Sequence, residues 1–239
     1  MIAIKNLTKK FKESTAVEDF SLEISDGEIF ALLGVNGAGK TTTIRMLSCL
    51  CRPTSGDAEI GGFKLSKSSG KIKKIINISP QETAVAGNLT VRENMEFIAS
   101  LYYRDKKQIA EKVDALLNDF GLGDVQKKRA KLLSGGMQRR LSIAMALVSS
   151  PKVLFLDEPT LGLDVIARKE LWKQILELKK KMTIILTTHY MEEAEKLADR
   201  IGIMSKGKLV AVGSADELKT KAGVENFEDA FIKIAGGEL

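Results

Sequence analysis

The chain of 239 residues is long enough for one large domain or two small ones, and its 44% hydrophobic and 28% charged residues are ordinary for a globular protein. Its net charge of +6 includes lysine clusters at 71–74, 127–131 and 179–181, but none of them is interleaved with stacking aromatic residues. The composition therefore argues against a dedicated nucleic-acid-binding patch. We interpret the lysines as scattered surface residues, and a weak preference for polyanions stays open.

The cysteines and the apolar runs set further limits. Cys49 and Cys51 are normally too close in sequence for an unstrained disulfide, and C-x-C alone lacks the other ligands of a zinc site. We interpret them as small apolar residues at a helix end in a reducing compartment; metal or redox work is the alternative. No export signal opens the sequence, and the apolar runs at 29–33 and 153–156 are far shorter than the ~20 residues that span a bilayer. We therefore expect no membrane span.

The first part of the chain predicts strands around one helix. Apolar and polar residues alternate in the period-2 manner of half-buried strands at Ile2, Ile4, Leu22 and Ile24. Residues 28–33 form a short apolar run that ends in a glycine-rich turn. A helical pattern follows at 41–50, until the breaker sequence at 53–56. A further strand is indicated at 75–78.

Three helices are expected between residues 83 and 149. Thr90 has the capping-box arrangement at the start of the first helix, and Asp105 opens the second, which Gly121 stops. Ser134 is the N-cap of the third helix. This stretch therefore predicts a purely helical lobe.

An alternation of strands and helices resumes after residue 150. The patterns give a buried strand, a helix, a strand, a helix and a hairpin, at residues 153–157, 165–180, 183–188, 191–199 and 201–212. Strands that alternate with helices predict a parallel sheet with right-handed crossovers. The helical stretch would be a second lobe inserted into that sheet domain.

One loop matches the phosphate-binding pattern G-x-x-x-x-G-K-[ST] at every fixed position, between an apolar strand and a helix. It consists of Gly34, Val35, Asn36, Gly37, Ala38, Gly39, Lys40 and Thr41, and Thr42 follows in the predicted site. Glycines let backbone N–H groups turn toward the β- and γ-phosphates, and the helix N-terminus adds partial positive charge. Lys40 would supply a full charge, and the Thr41 hydroxyl would coordinate Mg²⁺. The pattern predicts a nucleoside triphosphate site; a plain glycine-rich turn with an exposed lysine is the alternative.

A second motif selects among P-loop proteins. About 95 residues after the first, the chain reads Leu133-Ser134-Gly135-Gly136-Met137-Gln138, and an apolar strand that ends in Asp157-Glu158 follows. At these residues the chain resembles the ABC ATPase family, whose LSGGQ signature precedes a Walker B strand ending in Asp-Glu. The resemblance covers roughly residues 2–213. Val35 stands where proline is common and Met137 where glutamine is common, and neither change removes a chemical group.

The resemblance implies an α/β fold of the P-loop NTPase type. Its parts would be a mostly parallel core sheet flanked by helices, an N-terminal antiparallel β-subdomain and an inserted helical subdomain. We expect a single ABC ATPase domain over 1–239. The β-subdomain and RecA-like core would occupy 1–82 and 150–213, the helical subdomain 83–149, and a short helical tail 214–239. The tail has the apolar spacing of an amphipathic helix that packs on the domain.

The resemblance also implies the roles of several residues around ATP. Asp157 would help to hold Mg²⁺ through water, together with Thr41 and the Q-loop residue Gln81. Glu158 would polarise the attacking water as general base, and His189, the only histidine, would contact the γ-phosphate as the switch histidine. The alternative for the two neighbouring carboxylates is a solvated acidic turn.

Ser134, at a helix N-cap with two glycines in the first turn, makes a second anion site on a different lobe. Two phosphate-binding helix ends too far apart for one nucleotide suggest head-to-tail pairing. As the resemblance implies, each ATP would lie between the loop at 34–41 of one subunit and residues 134–136 of the other. Gln138 belongs to the same surface, and Asp164 matches the D-loop that carries information across the dimer. A plain loop-to-helix cap is the alternative for the signature segment.

The residues that would contact the adenine base have the weakest sequence pattern of the predicted site. The family usually stacks the base on an aromatic residue, often tyrosine, upstream of the P-loop. Phe11 offers a ring without the hydroxyl, and it could instead belong to the core. Val17 would pack against the ribose or the base.

The resemblance implies an ATP-hydrolysing subunit that forms a homodimer or heterodimer with Mg²⁺ and ATP. It would drive separate transmembrane permease subunits from the cytoplasmic face of the cell membrane. Residues 134–141, 161–164 and 226–231 resemble the ABC-2 subgroup, largely exporters of drugs, lipids, polysaccharides or haem-related cargo, so we expect export. The cargo itself is not readable from this chain.

Two other functions compete with this interpretation. One is a soluble ABC-type ATPase acting on nucleic acid or the ribosome, whose relatives carry long coiled coils or two ATPase domains that this sequence lacks. The other is a generic P-loop kinase or GTPase, against which residues 134–136 argue. We expect no nucleic-acid partner.

Overall fold

The computed structural model describes residues 1–179 and 181–236. In this part of the chain the elements are β1 (Ile2–Phe11), β2 (Ser14–Ile24), β3 (Ile29–Leu33), α1 (Lys40–Leu47), β4 (Ser55–Ile60), β5 (Phe63–Lys64), α2 (Leu65–Ile72), β6 (Ile76–Ser79), α3 (Val91–Ser100), α4 (Lys106–Asp119), α5 (Gly135–Leu147), β7 (Val153–Asp157), α6 (Val165–Lys179), β8 (Thr183–Thr188), α7 (Met191–Leu197), β9 (Arg200–Ser205), β10 (Lys208–Gly213), α8 (Ala215–Ala222) and α9 (Phe227–Gly236). Two short 3-10 turns lie between α4 and α5.

The larger sheet has the strand order β10-β9-β3-β8-β7-β6, and every neighbouring pair except β10 with β9 is parallel. β3, β7 and β8 are buried along their whole length, as strands covered on both faces must be. Within β3, Ile29 and Leu33 pack in a core with the helices, whereas Phe30 and Leu32 pack in a core with the smaller sheet. The carboxyl ends of the parallel strands meet at one edge, where α/β folds place their ligands.

The smaller sheet is antiparallel and has the order β2-β1-β4-β5. The residues whose alternation predicted two strands are paired with each other, Ile2 with Ile24 and Ile4 with Leu22. Their side chains are buried in the same core as α1. This arrangement confirms the predicted N-terminal antiparallel β-structure.

Only helices and 3-10 turns stand between β6 and β7. Thr90 and Glu93 form the predicted capping box, in which the Thr90 hydroxyl accepts the Glu93 N–H and the Glu93 carboxylate accepts the Thr90 N–H. Asp105 and Ser134 each accept a backbone N–H from the first turn of the helix that they cap. The three predicted helix starts are therefore confirmed, while the lobe boundaries at 83 and 149 stay a prediction.

The helix expected over 41–50 is shorter, because α1 ends at Leu47. Cys49 takes a positive φ of 60°, and the Leu50 N–H bonds back to the Arg45 carbonyl oxygen at 2.9 Å. This is the hydrogen-bond pattern that closes a helix with a left-handed residue. Cys49 and Cys51 thus lie just past the helix end as free, half-buried thiols that pack against the smaller-sheet core.

The helix expected over 191–199 also ends early, at Leu197. Asp199 instead lies directly before β9 and is held by β3, because its N–H bonds to the Ile29 carbonyl oxygen at 2.8 Å and its carboxylate accepts the Ile29 N–H at 2.9 Å. These sheet contacts outweigh the local helical pattern. Lys180, the last residue of the helix expected at 165–180, lies outside the described residues.

Helix α2 was not predicted, whereas α8, which begins with a capping box at Ser214, lies within the helical tail expected at 214–239. The predicted tail helix is α9. Its apolar side chains are buried against the domain as expected, at Phe227, Ala230, Phe231 and Ile234. Residues 237–239 of the predicted tail lie outside the described part of the chain. Among the residues that the structure describes, none of the helices combines the length and the apolar character needed to cross a bilayer.

Candidate functional site

The loop between β3 and α1 runs so close to neighbouring backbone that two of its glycines have no room for a side chain. A Cβ on Gly34 would lie 2.6 Å from the Met204 carbonyl oxygen, and one on Gly39 would lie 2.5 Å from the Ala16 carbonyl oxygen. Gly39 also has a φ of +103°, which an L side chain rarely adopts. Because α1 begins directly after Gly39, its unpaired N–H groups lie beside the loop. This cradle of backbone donors fits an anionic group.

Lys40 is nearly buried and folds back over the loop that precedes it. Its ammonium donates to the carbonyl oxygens of Gly34 at 2.6 Å and Val35 at 3.3 Å. Its Nζ also lies 3.4 Å from Glu158 Oε1. The side chain is therefore fixed with its charge at the mouth of the loop, where a phosphate oxygen can replace one of these partners.

Thr41 and Asp157 are joined across the site. The Thr41 hydroxyl donates to Asp157 Oδ1 at 3.1 Å, and the Thr187 hydroxyl donates to the same oxygen. A hydroxyl and a carboxylate are the ligands that hold Mg²⁺ when phosphates and waters complete its shell. Within the described residues, no group of three or more His, Cys, Asp or Glu side chains could hold a metal ion by itself. The pair fits a cation that arrives with a phosphate ligand.

Glu158 follows β7 with a positive φ of 49°, an uncommon conformation for glutamate. Its backbone N–H donates to the Thr187 hydroxyl at 3.0 Å, which helps to hold the turn. Its nearly buried carboxylate lies between Lys40 and His189, and it is hydrogen-bonded to His189 Nδ1. Three residues predicted from separate motifs therefore converge on one point, and a solvated acidic turn is not what the structure contains.

The His189 ring contacts Tyr190, which in turn contacts Arg168, and no sequence pattern singled out either of these two residues. Its ring lies 4.1 Å from the Tyr190 ring, centroid to centroid, and the Arg168 guanidinium lies 4.5 Å from the centroid of Tyr190. Farther inside, the Trp172 indole N–H donates to Glu193 at 3.1 Å. Burial raises the pKa of Glu193 above its usual value. No motif marks these positions, because only the packing of α6 on α7 brings them together.

A cleft of about 530 Å³ joins these groups. It is lined by residues 36–42, Phe11, Ala16, Gln81, Glu158, Leu161 and His189. Phe11 is 49% exposed at this cleft, so it is not a core residue. Val17 does not line the cleft: it is fully buried, and its neighbour Ala16 faces the space instead. The alternation of β2 turns the Val17 side chain into the core, and the expected contact of Val17 with the base or ribose stays a prediction.

Gln81 lines the cleft just beyond the end of β6, and its backbone is held from the helical side. Arg139, in α5, donates to the Pro80 carbonyl oxygen at 2.7 Å and to the Gln81 carbonyl oxygen at 2.5 Å. Burial lowers the pKa of the Arg139 guanidinium, and the charges of Asp157 and Glu193 act in the opposite direction. Sequence reasoning missed this contact, because residue 139 lies outside the fixed positions of the signature motif.

The signature residues lie away from the cleft. The Ser134 hydroxyl accepts the Met137 N–H at 3.3 Å as the N-cap of α5, and both Ser134 and Gly135 are exposed. Gly136 packs closely on α6, where a Cβ would lie 3.0 Å from that of Ala167. Gln138 turns inward and donates to the carbonyl oxygens of Ala130 and Leu133. The helix end at Ser134 is thus exposed, and none of residues 1–179 and 181–236 covers it.

Asp164 is exposed and caps the start of α6. Its carboxylate accepts the N–H groups of Ile166 and Ala167, each at 2.9 Å. The side chains of Val165 and Ile166 beside it are 62% and 73% exposed. An apolar surface next to the D-loop position is therefore uncovered in the single chain.

A parallel sheet, a glycine cradle with a buried lysine, and a Thr–Asp pair at the strand ends define a nucleoside-triphosphate-binding protein of the P-loop class. Residues 17–161 match the family model described as "ABC transporter". Because that match covers more than half of the chain, the chain belongs to the ABC transporter family. The LSGGM signature and the helical insertion before it fit this assignment.

Two relatives illustrate the range of similar proteins. The phospholipid-transporting ATPase ABCA3 of Homo sapiens is 46% identical over 226 residues, which are 93% of this chain but 13% of that protein. The daunorubicin resistance ATP-binding protein DrrA3 of Streptomyces coeruleorubidus is 37% identical over 236 residues, which are 98% of this chain and 74% of the relative. This chain therefore spans only a small part of one relative and most of the other.

A solved structure has the same fold. It is the dimeric post-hydrolysis state of the ATP-binding cassette MJ0796 bound to ADP and Pi, which matches with a TM-score of 0.80 and 27% identity over 90% of this chain and 98% of that one. The predicted P-loop ABC fold is thus confirmed. The individual site residues stay predictions.

Proposed function

We propose that this chain is the ATP-binding and ATP-hydrolysing part of an ABC transporter, and that ATP binding closes two such subunits head to tail. The observation that carries the proposal is the convergence of Lys40, Glu158 and His189 on one cleft beside the Thr41–Asp157 pair. Lysine charge, a carboxylate base and a metal-binding pair are the groups that phosphoryl transfer to water requires.

Binding would begin with the phosphates in the backbone cradle. Lys40 would exchange its carbonyl partners for oxygens of the β- and γ-phosphates, and the N-terminus of α1 would favour the same negative charge. The exposed ring of Phe11 would stack on the adenine. Mg²⁺ held by Thr41 and Asp157, with Gln81 nearby, would neutralise charge on the phosphate oxygens.

Hydrolysis would use the carboxylate at the centre of the site. Glu158 would accept a proton from the water that attacks the γ-phosphorus, while the bond to the leaving β-phosphate oxygen breaks. His189, which now bonds to Glu158, would contact the γ-phosphate. The Thr187 hydroxyl contacts both residues in different ways: it donates to the Asp157 carboxylate and accepts the backbone N–H of Glu158, so it leaves the Glu158 carboxylate available for the water.

Pairing of two copies would complete the site. The exposed N-terminus of α5 at Ser134 offers anion-binding N–H groups that reach no phosphate of the same copy. The exposed Val165 and Ile166 beside Asp164 form an apolar surface that a second copy would bury. The dimeric ADP- and Pi-bound MJ0796 cassette supports this arrangement.

The coupled work would be transport through separate membrane-spanning subunits. Phe97 on α3 is 60% exposed, and Leu101 and Tyr102 directly after this helix are 66% and 51% exposed. Such a patch on the helical lobe fits a helix of a permease at the cytoplasmic face of the membrane. Relatives named for drug resistance and phospholipid transport support export over import. They also favour a transporter over a nucleic-acid ATPase.

Substitution of Glu158 by Gln tests the proposal directly. Without the base, Mg²⁺-dependent phosphate release should fall by about 10²-fold or more, while ATP binding persists and a dimer accumulates in gel filtration. Glu192→Gln, on the exposed side of α7, is the matched control and should keep the native rate. Native turnover in the Glu158 variant would remove this residue from the proposed mechanism.

A further inference from the structure

Arg139 connects the helix that begins at Ser134 with the segment that carries Gln81. In the proposed dimer, the first of these meets the partner's nucleotide and the second meets the nucleotide of its own subunit. Arg139 lies five residues after Ser134, so the two positions are about 7.5 Å apart along the axis of α5. At the other end, its guanidinium is bonded to the backbone that carries Gln81 into the cleft. One side chain therefore joins the helix whose end would meet the partner's nucleotide to the loop beside this subunit's own nucleotide.

A second contact runs parallel to the first. The hydroxyls of Ser142 and Ser79 are hydrogen-bonded at 3.0 Å, and both are buried. Ser142 lies one helical turn after Arg139 on the same face of α5. The three consecutive residues 79–81 are thus fixed to α5 by three hydrogen bonds. A shift of α5 must move this segment with it.

The chemistry of Arg139 favours a positioning role over a packing role. Its side chain is 5% exposed, and within the described residues it forms hydrogen bonds to two carbonyl oxygens rather than a close ion pair. A buried charge costs desolvation energy that an apolar side chain of similar volume would avoid. What the guanidinium supplies is a rigid fork that fixes two adjacent carbonyl groups in direction as well as distance.

We propose that Arg139 is a positioning residue that transmits the docking of Ser134 on the partner's nucleotide to Gln81, and so couples hydrolysis at the two sites of a dimer. This inference rests on the proposed head-to-tail dimer. When α5 seats on the second nucleotide, its displacement moves the Gln81 backbone relative to the attacking water. Without the fork, each site would bind ATP but would respond less to its neighbour.

The test compares Arg139→Met and Arg139→Lys with the native chain, in steady-state ATPase assays over a range of MgATP concentrations. The native protein should show a Hill coefficient above 1. In Arg139→Met the coefficient should fall toward 1 and kcat should fall about tenfold, whereas the affinity of the monomer for ATP stays within about twofold. Arg139→Lys keeps the charge without the fork, and it should recover only part of kcat.

Arg140→Gln is the matched control. Like Arg139→Met it removes one positive charge from α5, but Arg140 contacts Phe120 and Glu170 instead of residues 79–81. The Arg140 variant should keep the native Hill coefficient even if the unfolding midpoint falls. If Arg139→Met does not fold, Arg139→Lys alone must still lower the coefficient. A native coefficient of 1, or a native value in both Arg139 variants, would overturn the inference.

The same variants in the Glu158→Gln background separate this inference from the function on which it rests. There, ATP should still produce a dimer, with or without the Arg139 change, because the nucleotide-binding groups remain. If Glu158→Gln alone forms no ATP-dependent dimer, the head-to-tail proposal fails. If Glu158→Gln forms the dimer, and the Arg139 variants that retain Glu158 keep native kcat and cooperativity, only the coupling role fails.

Discussion

The Lys40 ammonium and the Glu158 carboxylate lie 3.4 Å apart, and each side chain is more than nine-tenths buried. The lysine of the phosphate loop is thus paired with the residue that we propose as the base. In the proposed mechanism, a phosphate that enters the cradle would compete for the charge of Lys40 and would thereby free Glu158 to act on water. Binding and activation of the base would therefore be linked through one ion pair.

Lys40→Ala should weaken ATP binding by roughly one to two orders of magnitude, because a charge-assisted hydrogen bond is worth about 1.5–3 kcal/mol. Isothermal titration with a non-hydrolysed ATP analogue measures this loss. Lys10→Ala, an exposed lysine outside the cleft, serves as the control and should bind normally. Equal affinities for the two variants would contradict the assignment of Lys40 to the phosphates.

Phe11→Ala should weaken the binding of ATP but not of inorganic tripolyphosphate, because base stacking on an aromatic ring contributes about 1–3 kcal/mol and the phosphate cradle stays intact. Phe11→Tyr keeps the ring and should bind ATP like the native chain. Competition against a fluorescent nucleotide measures both ligands. A parallel loss for ATP and tripolyphosphate in the alanine variant would mean that Phe11 supports the loop rather than the base.

The double variant Phe97→Asp, Leu101→Asp should leave folding and the ATPase rate of the isolated chain unchanged, because both side chains are exposed, one on α3 and one at its C-terminal end. It should abolish co-purification with a membrane protein from detergent extracts that the native chain captures, since two charges would enter an apolar contact. A matched substitution at Ile232, exposed on α9, should retain the capture. Capture of the same membrane protein by both variants would exclude α3 as the docking surface.

Glu193→Gln should change how stability depends on pH. Burial raises the pKa of Glu193 in the folded state, so the folded protein holds this proton more tightly than the unfolded chain does. The resulting stabilisation is complete below the usual glutamate pKa of about 4.3 and is lost as pH rises through the raised value. Glutamine can still accept the Trp172 hydrogen bond but carries no proton to lose.

Urea unfolding at pH 5 and pH 8 measures the effect. The free energy of unfolding of the native chain should decrease relative to the variant across this interval. A constant difference between the two proteins would show that Glu193 is already ionised in the folded chain at pH 5, as it is in the unfolded chain, and would contradict the raised pKa.

The sequence by itself determined the elements that depend on local spacing and the groups that carry the chemistry. The cradle at 34–41 follows from glycines beside a strand and before a helix, and the caps at Thr90 and Ser134 follow from hydrogen bonds made within one turn. The same local logic placed Asp157 and Glu158 at a strand end, where the structure has them. Such features need no partner that is distant along the chain.

Only the tertiary structure decided what depends on contacts between distant residues. Val17 is buried while Ala16 faces the cleft, Asp199 is held by β3 instead of continuing a helix, and Arg139 reaches carbonyl groups almost 60 residues away. In each case, local spacing allows more than one outcome. The choice between them depends on side-chain packing and on hydrogen bonds to buried polar groups. These contacts join residues far apart in the sequence, so they form only in the folded chain.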